Sequence, residues 1–379
     1  MIAYPKAQDI QGAIYIGTWG DSQIPVIDVP NMHALNQLVG YVKHINAGNG
    51  TVLYRGQCEL FKYVNASIVR DKNQVEFYKT RLEQAKARIR QDDPCLKYLG
   101  LRQDDVKGWN LYQSLVIEAV LQHYGAKTFC VDFVDNHWTA LWFGLNKWDA
   151  VKNKYVTRNN SGCAVFDKEI TLSDRMQKKT YPVKPTYHTV VLSDSKMREL
   201  TNDAKHGSIT LDELVRRNKN TILNAQLWHW NKEIQEIDAY NKRIEEVEKR
   251  DSLYLFLYVA DTNVPNLHGV YIGENTFTMD LRKLVPSLFL RPCSQHGWIV
   301  RGRQDEYDFN VNISCVVRIS VDVAKEMLGE GKLLTQENFF PNDKIDEGYK
   351  ILLERQENSR LETKHSELLP PNMITDFGA

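Results

Sequence analysis

The spacing of apolar positions changes repeatedly along the chain, and each change predicts an element. Ala13 to Thr18 has the composition of a short strand. In VPNMHALNQLVGYVKHINAG, Leu35, Leu38, Val42 and Ile45 recur at helical spacing, with Asn31 placed to cap and Gly48 to stop, so a helix starts near Met32. TVLYRGQ reads as a strand through its aromatic and β-branched content, which sets Arg55 at a strand end. From Asp71 to Asp92, Val75, Tyr78, Leu82, Ala85 and Ile89 mark one face of a helix that Pro94 helps to stop. NLYQSLVIEAVLQHYG repeats Leu111, Leu115, Ala119 and Gln122 and ends at Gly125, so His123 and Tyr124 fall in a last helical turn.

KTFCVDFVDNHWTALWFGLNKWD begins as a strand and turns helical around Trp138 to Trp148, which carries Asp132 and Asp135 to the edge of a cleft. GCAVFDKE and HTVVLSD are strand candidates, Thr210 to Arg250 reads as one or two long helices, and SLYLFLYVAD and NISCVVRISV are late strands. Late strands reach early ones only by long-range closure, so a single α+β domain is expected to span most of the chain. The expected architecture is a small split or curved sheet surrounded by helices. Its predicted limits are an N-terminal extension at 1–30, a domain at 31–353 with a partly helical insertion at 152–281, and a peripheral tail at 354–379.

Composition narrows the class. The 379 residues are 42% hydrophobic, enough for a substantial core, and 48 basic residues balance 48 acidic ones. No overall field draws the chain to nucleic acid or an anionic membrane, although a local basic cleft escapes that test. Cys58, Cys95, Cys130, Cys163, Cys293 and Cys315 form no CxxC pair, which predicts free thiols in a reducing compartment. No signal-like start or run of 18 apolar residues is present, so a cytoplasmic location is expected.

Candidate chemistry is sparse. The guanidinium of Arg55 suits a phosphate or carboxylate, with Gly56 allowing close approach; an ion pair at a domain edge explains it equally. His123 and Tyr124 could shuttle a proton and stack on a ring, or simply pack at a helix end. Asp132 is read as a cap or a partner of Arg55, and Gln295 in SQHG as a group that orients a ligand without titrating. No phosphate loop, HExxH, GxSxG or well-supported GxGxxG occurs, and no metal cluster has ligand spacing.

Taken together, LYRGQ, LQHYGAKTFCVDFVDNHWTALWFG and LRPCSQHGWIV resemble the FRG domain family, with Tyr54 where its name-giving signature has phenylalanine. The family's threonine-arginine-leucine-leucine-aspartate run becomes Thr128, Phe129, Cys130, Val131 and Asp132. KLLTQENFFPNDKIDEGYKIL resembles its closing pattern, so the likeness extends from Leu35 to Leu353. The family occurs in bacteria and phages, often in defence or toxin contexts, and is remotely similar to ADP-ribosyltransferases. That resemblance implies NAD as cofactor. Arg55, Gly56, Gln57 and Asp132 would bind it, and His123, Tyr124 and Gln295 would form the catalytic set. The implied activity is ADP-ribosyl transfer or NAD cleavage by a toxin or defence effector, with a macromolecular acceptor of open class, nucleic acid included. A nucleotide or phosphoryl-ligand sensor, and a protein-interaction module using residues 210–250, are the competing expectations.

Overall fold

The structure is a computed structural model that describes residues 2–101, 108–149, 154–157, 170–172, 179–264, 269–341, 345–348 and 350–352. Contacts divide the chain into one unit made of residues 1–173 and 250–379 and a second unit of residues 174–249. The strands are β1 (Ile14–Trp19), β2 (Ile24–Val29), β3 (Thr51–Gln57), β4 (Cys130–Val134), β5 (Asn146–Asp149), β6 (Lys154–Thr157), β7 (Ile170–Leu172), β8 (Ser252–Ala260), β9 (Val270–Ile272), β10 (Thr276–Asp280), β11 (Gly297–Gly302) and β12 (Ile313–Ser320). In the first unit the helices are α1 (Met32–Ile45), α2 (Val75–Gln91), α3 (Asp93–Tyr98), α4 (Trp109–His123) and α5 (His137–Leu145). The second unit holds α6 (Asp194–His206) and α7 (Leu211–Lys249). The first unit resumes with the short helices α8 (Leu281–Leu284), α9 (Leu290–Ser294), α10 (Val321–Met327) and α11 (Gln336–Phe339).

Ten strands form one mixed sheet in the order β7-β1-β2-β12-β8-β3-β4-β11-β10-β9, and β5 and β6 pair separately. Every pairing in the large sheet is antiparallel except β2 with β12. β8 is buried along its whole length, as its continuous apolar run SLYLFLYVA requires of a strand covered on both faces.

Two apolar cores pack against the sheet. Leu35, Leu38 and Val42 of α1 and Ala140 and Leu141 of α5 pack with Leu255, Leu257 and Val317. Leu115, Val116 and Ala119 of α4 pack with Leu82, Met279 and Ile299. The cores divide within β4: Val134 joins Val52 and Tyr54 of β3 in the first, and Cys130 belongs to the second.

Local chemistry sets the helix ends beside that boundary. The Asn31 side chain accepts the amide of Ala34 at 2.9 Å and caps α1. Gly125 takes φ 102°, and the amide of Ala126 reaches the Leu121 carbonyl at 2.9 Å, a Schellman stop for α4. QHYG is therefore a helix terminator that leaves Gln122 and His123 in the final turn.

The mixed α+β class is as expected, but the sheet is large rather than small. Residues 1–30 are not an appendage, because β1 and β2 belong to the sheet. The expected insertion at 152–281 also contributes sheet strands β7 to β10; the separately compact unit is 174–249. HTVVLSD forms a 3₁₀ turn at Tyr187–Thr189 and then runs extended into α6, since no strand pairs with it among the described residues. Leu111 is 52% exposed, while α4 is buried all round from Leu115 to His123, so a one-sided stripe misjudges that helix. GCAVFDKE and the tail at 354–379 lie outside the described residues. Thr210 to Arg250 is one helix, α7. Among the described residues Cys58, Cys95, Cys130, Cys293 and Cys315 form no disulfide with one another, and Cys163 lies outside the described residues. No helix among the described residues is long and apolar enough to cross a membrane.

His137, the first residue of α5, gives the fold a pH dependence. Burial first, and then the nearby Lys43 cation, pushes its imidazole down from 6.5 to about 4. A charge there would also oppose the positive end of the α5 dipole. The folded value lies below the unfolded one, so the unfolded chain takes up this proton first. The contribution is complete above pH 6.5 and is lost as pH falls towards 4, by at most about 3 kcal/mol. Urea midpoints measured at pH 7 and pH 4.5 should fall more for the natural chain than for His137→Gln. Equal falls would assign the acid sensitivity to other groups.

Candidate functional site

β3 and β4 are neighbours in the sheet yet pair at a single position, Tyr54 with Val134. Continuing that antiparallel register would set Gly56 opposite Asp132, but the ladder stops. Arg55 occupies the interruption: its Nη1 donates to the Asp132 carbonyl at 2.9 Å, while its Nε is buried without a hydrogen-bond partner. Burial, and secondarily the Arg70 cation, lowers this guanidinium to about 10, with Asp132 acting in the opposite direction. Arg55 is still charged at neutral pH, in a place where further negative charge would be welcome.

Two cavities meet here, since Arg55, Gly56 and Phe143 line both. The larger, about 430 Å³, is also lined by Gln57, Lys62, Arg70 and the aromatic rings of Phe61 and Tyr63, and no carboxylate is among the described residues of its wall. Its outer edge is partly neutralised, because Lys62 lies 4.0 Å from Asp21, which also accepts the Tyr63 hydroxyl at 3.0 Å.

The smaller cavity, about 60 Å³, brings together residues far apart in sequence: His123, Asp132, Gln295 and Phe340. The Asp132 carboxylate is held through Oδ2 by the Gln122 amide, whose own oxygen accepts the hydroxyls of Thr128 and Ser67. Its other oxygen, Oδ1, is buried without a hydrogen-bond partner and lies 3.9 Å from His123 Nδ1. His123 is 5% exposed, and its Nε2 is likewise buried and unpartnered.

Several expected roles change. Gly56 has a packing role besides lining the cavities: a Cβ there would lie 1.7 Å from the Ala140 carbonyl oxygen, so glycine is needed for α5 to rest on β3. Tyr124 lines neither cavity; its hydroxyl donates to Asp346 at 2.9 Å, and its ring faces Arg291 and Phe289. Its contacts fit the helix-end packing that was the alternative reading. Gln295 reaches the small cavity, but its amide nitrogen donates to the Phe339 carbonyl at 2.8 Å, which ties it to the chain. The Asp132 carboxylate serves Gln122, and Arg55 uses the backbone of Asp132 instead. Asp135 is paired with Arg282 at 2.5 Å and with His296 at 3.2 Å. Tyr54 is fully buried, and its hydroxyl has no hydrogen-bond partner among the described residues, as fits a position where the FRG signature has phenylalanine.

Sequence reasoning missed Lys62, Arg70, Phe61, Tyr63 and Phe143. The interleaved aromatic and basic residues of Phe61-Lys62-Tyr63, just after LYRGQ, were the available signal. Among the described residues no group of three or more His, Cys, Asp or Glu side chains is placed to hold a metal ion.

Residues 50–153 match the FRG domain. That span contains Arg55, His123, Asp132 and both walls of the interrupted ladder, whereas Gln295 and Phe340 come from outside it. No curated protein and no solved structure matches the chain.

Proposed function

We propose that the FRG domain at residues 50–153 builds the binding site for a phosphorylated nucleotide, with NAD the first ligand to test and Arg55 the group that holds its diphosphate. One observation carries the reading: a cavity of about 430 Å³ is walled by Arg55, Lys62 and Arg70, with no carboxylate among the described residues that line it. A diphosphate there gains charge-assisted bonds from a guanidinium whose Nε has no other partner, while the rings of Phe61, Tyr63 and Phe143 offer faces to a base.

Calorimetric titration with NAD tests this. The natural protein is expected to bind, and a folded Arg55→Ala variant to lose about 1.5–3 kcal/mol, the worth of hydrogen bonds to a charged group. Equal affinity in both would sink the assignment.

Cleavage of NAD is a second reading, and Asp132 favours it. Positive charge develops on the ribose as the glycosidic bond breaks, and Asp132 supplies the carboxylate in the small cavity, which the neutral Gln295 cannot. Release of nicotinamide by the bound protein would select an NAD-consuming transferase or effector, with an acceptor still to be identified. Binding without release would select a sensor.

A further inference from the structure

The small cavity has unsatisfied hydrogen-bonding capacity that a phosphate would not meet. Arg55 Nε can only donate, Asp132 Oδ1 can only accept while ionised, and His123 Nε2 does either according to its tautomer. All three atoms are buried without partners, and all three residues line the same space of about 60 Å³. Asp132 is not free to swing away, because Gln122 holds its other oxygen and Thr128 and Ser67 hold Gln122. A second anion placed here would face a carboxylate at close range, and a purely apolar group would leave four polar atoms desolvated, since the hydroxyl of Tyr54, which also lines the cavity, is buried without a hydrogen-bond partner as well. The group that suits the inventory is uncharged, compact, and able to donate and accept together.

We propose that this cavity is a subsite for the hydroxyls of a sugar carried by the phosphorylated ligand, with Asp132 Oδ1 accepting one hydroxyl and His123 Nε2 pairing with a neighbouring one. The ligand then straddles Arg55. Its phosphates lie in the cationic cleft and its sugar edge beyond the interrupted ladder, which is why Arg55, Gly56 and Phe143 line both spaces. This rests on the anion-binding reading of the larger cleft. It adds a selectivity that cleft lacks: phosphate alone would be a poor ligand beside a phosphorylated sugar.

Calorimetry with two probes, inorganic pyrophosphate and ADP-ribose, separates the two ideas. The natural protein should bind ADP-ribose the more tightly. Asp132→Asn turns the pocket-facing acceptor into a donor at nearly constant shape, so it should weaken ADP-ribose tenfold or more and leave pyrophosphate equal or tighter. Arg55→Ala should weaken both. Should Asp132→Asn fail a melting check, His123→Gln carries the same contrast between probes. ADP-ribose affinity unchanged in the folded variant overturns the sugar subsite while leaving the cationic cleft intact. Failure of the natural protein to bind either probe overturns the cleft and the subsite together.

Discussion

Gly56→Ala is expected to be the most damaging single-methyl change in the first unit. The added Cβ would sit 1.7 Å from the Ala140 carbonyl oxygen and 2.7 Å from the Gly144 amide nitrogen. Both are backbone atoms of α5, so no side-chain rotation relieves the overlap and the whole helix must lift from β3. Lifting it separates Ala140, Leu141 and Trp142 from Leu253 and Leu255, the middle of one core. Overpacking in a well-filled interior costs about 1–3 kcal/mol where neighbours can yield, and backbone against backbone belongs at or above the upper end. Denaturant unfolding should show a loss of more than about 3 kcal/mol, or no folded protein at all. A loss below about 1 kcal/mol would mean that α5 is not seated as described.

Asp28→Ala is the second change expected to have a large effect, by a different mechanism. Asp28 on β2 is fully buried and accepts Arg250 Nη2 at 2.6 and 2.7 Å, while Arg318 on the adjoining β12 approaches at 3.5 Å. The parallel pairing places Arg318 directly opposite Asp28, and Arg318 also donates to the Arg250 carbonyl at 3.2 Å. Alanine would leave two guanidinium groups around a site emptied of its carboxylate. Breaking a buried pair from one side costs about 3–5 kcal/mol, far more than the pair contributes over an apolar substitute. An Asp28→Ala, Arg318→Met double variant should therefore recover part of the loss in a denaturation cycle. Additive losses would show that the two side chains are not coupled.

Much of the fold around the site was legible because its signals are local. Asn31 with Leu35, Leu38 and Val42 announced α1, and Gly125 announced the end of α4. Arg55 was identifiable because an arginine at a strand end beside glycine is chemically conspicuous, and the FRG resemblance tied it to His123 and Asp132. What stayed hidden depends on long-range pairing. Ile24–Val29 joins β12 in a parallel register set nearly 300 residues away, and no periodicity in either segment states it. The packing demand on Gly56 stayed hidden because the atom that forbids a side chain there, the Ala140 carbonyl, becomes its neighbour only on folding. The partner of Tyr124 stayed hidden for the same reason: Asp346 takes its hydroxyl from the far end of the chain.

The halted ladder between β3 and β4 gives Arg55 an additional duty. Where a strand stops pairing, its amides and carbonyls form an exposed rim, which at the margin of a sheet invites another strand to dock. Here the rim is interior, and one long side chain plugs it by meeting the Asp132 carbonyl. Arg55 is thus a keystone of the sheet before any ligand arrives. Arg55 also lines both cavities, so a ligand bound as proposed would be held by the seam itself, and its arrival would brace β3 against β4 where the backbone does not.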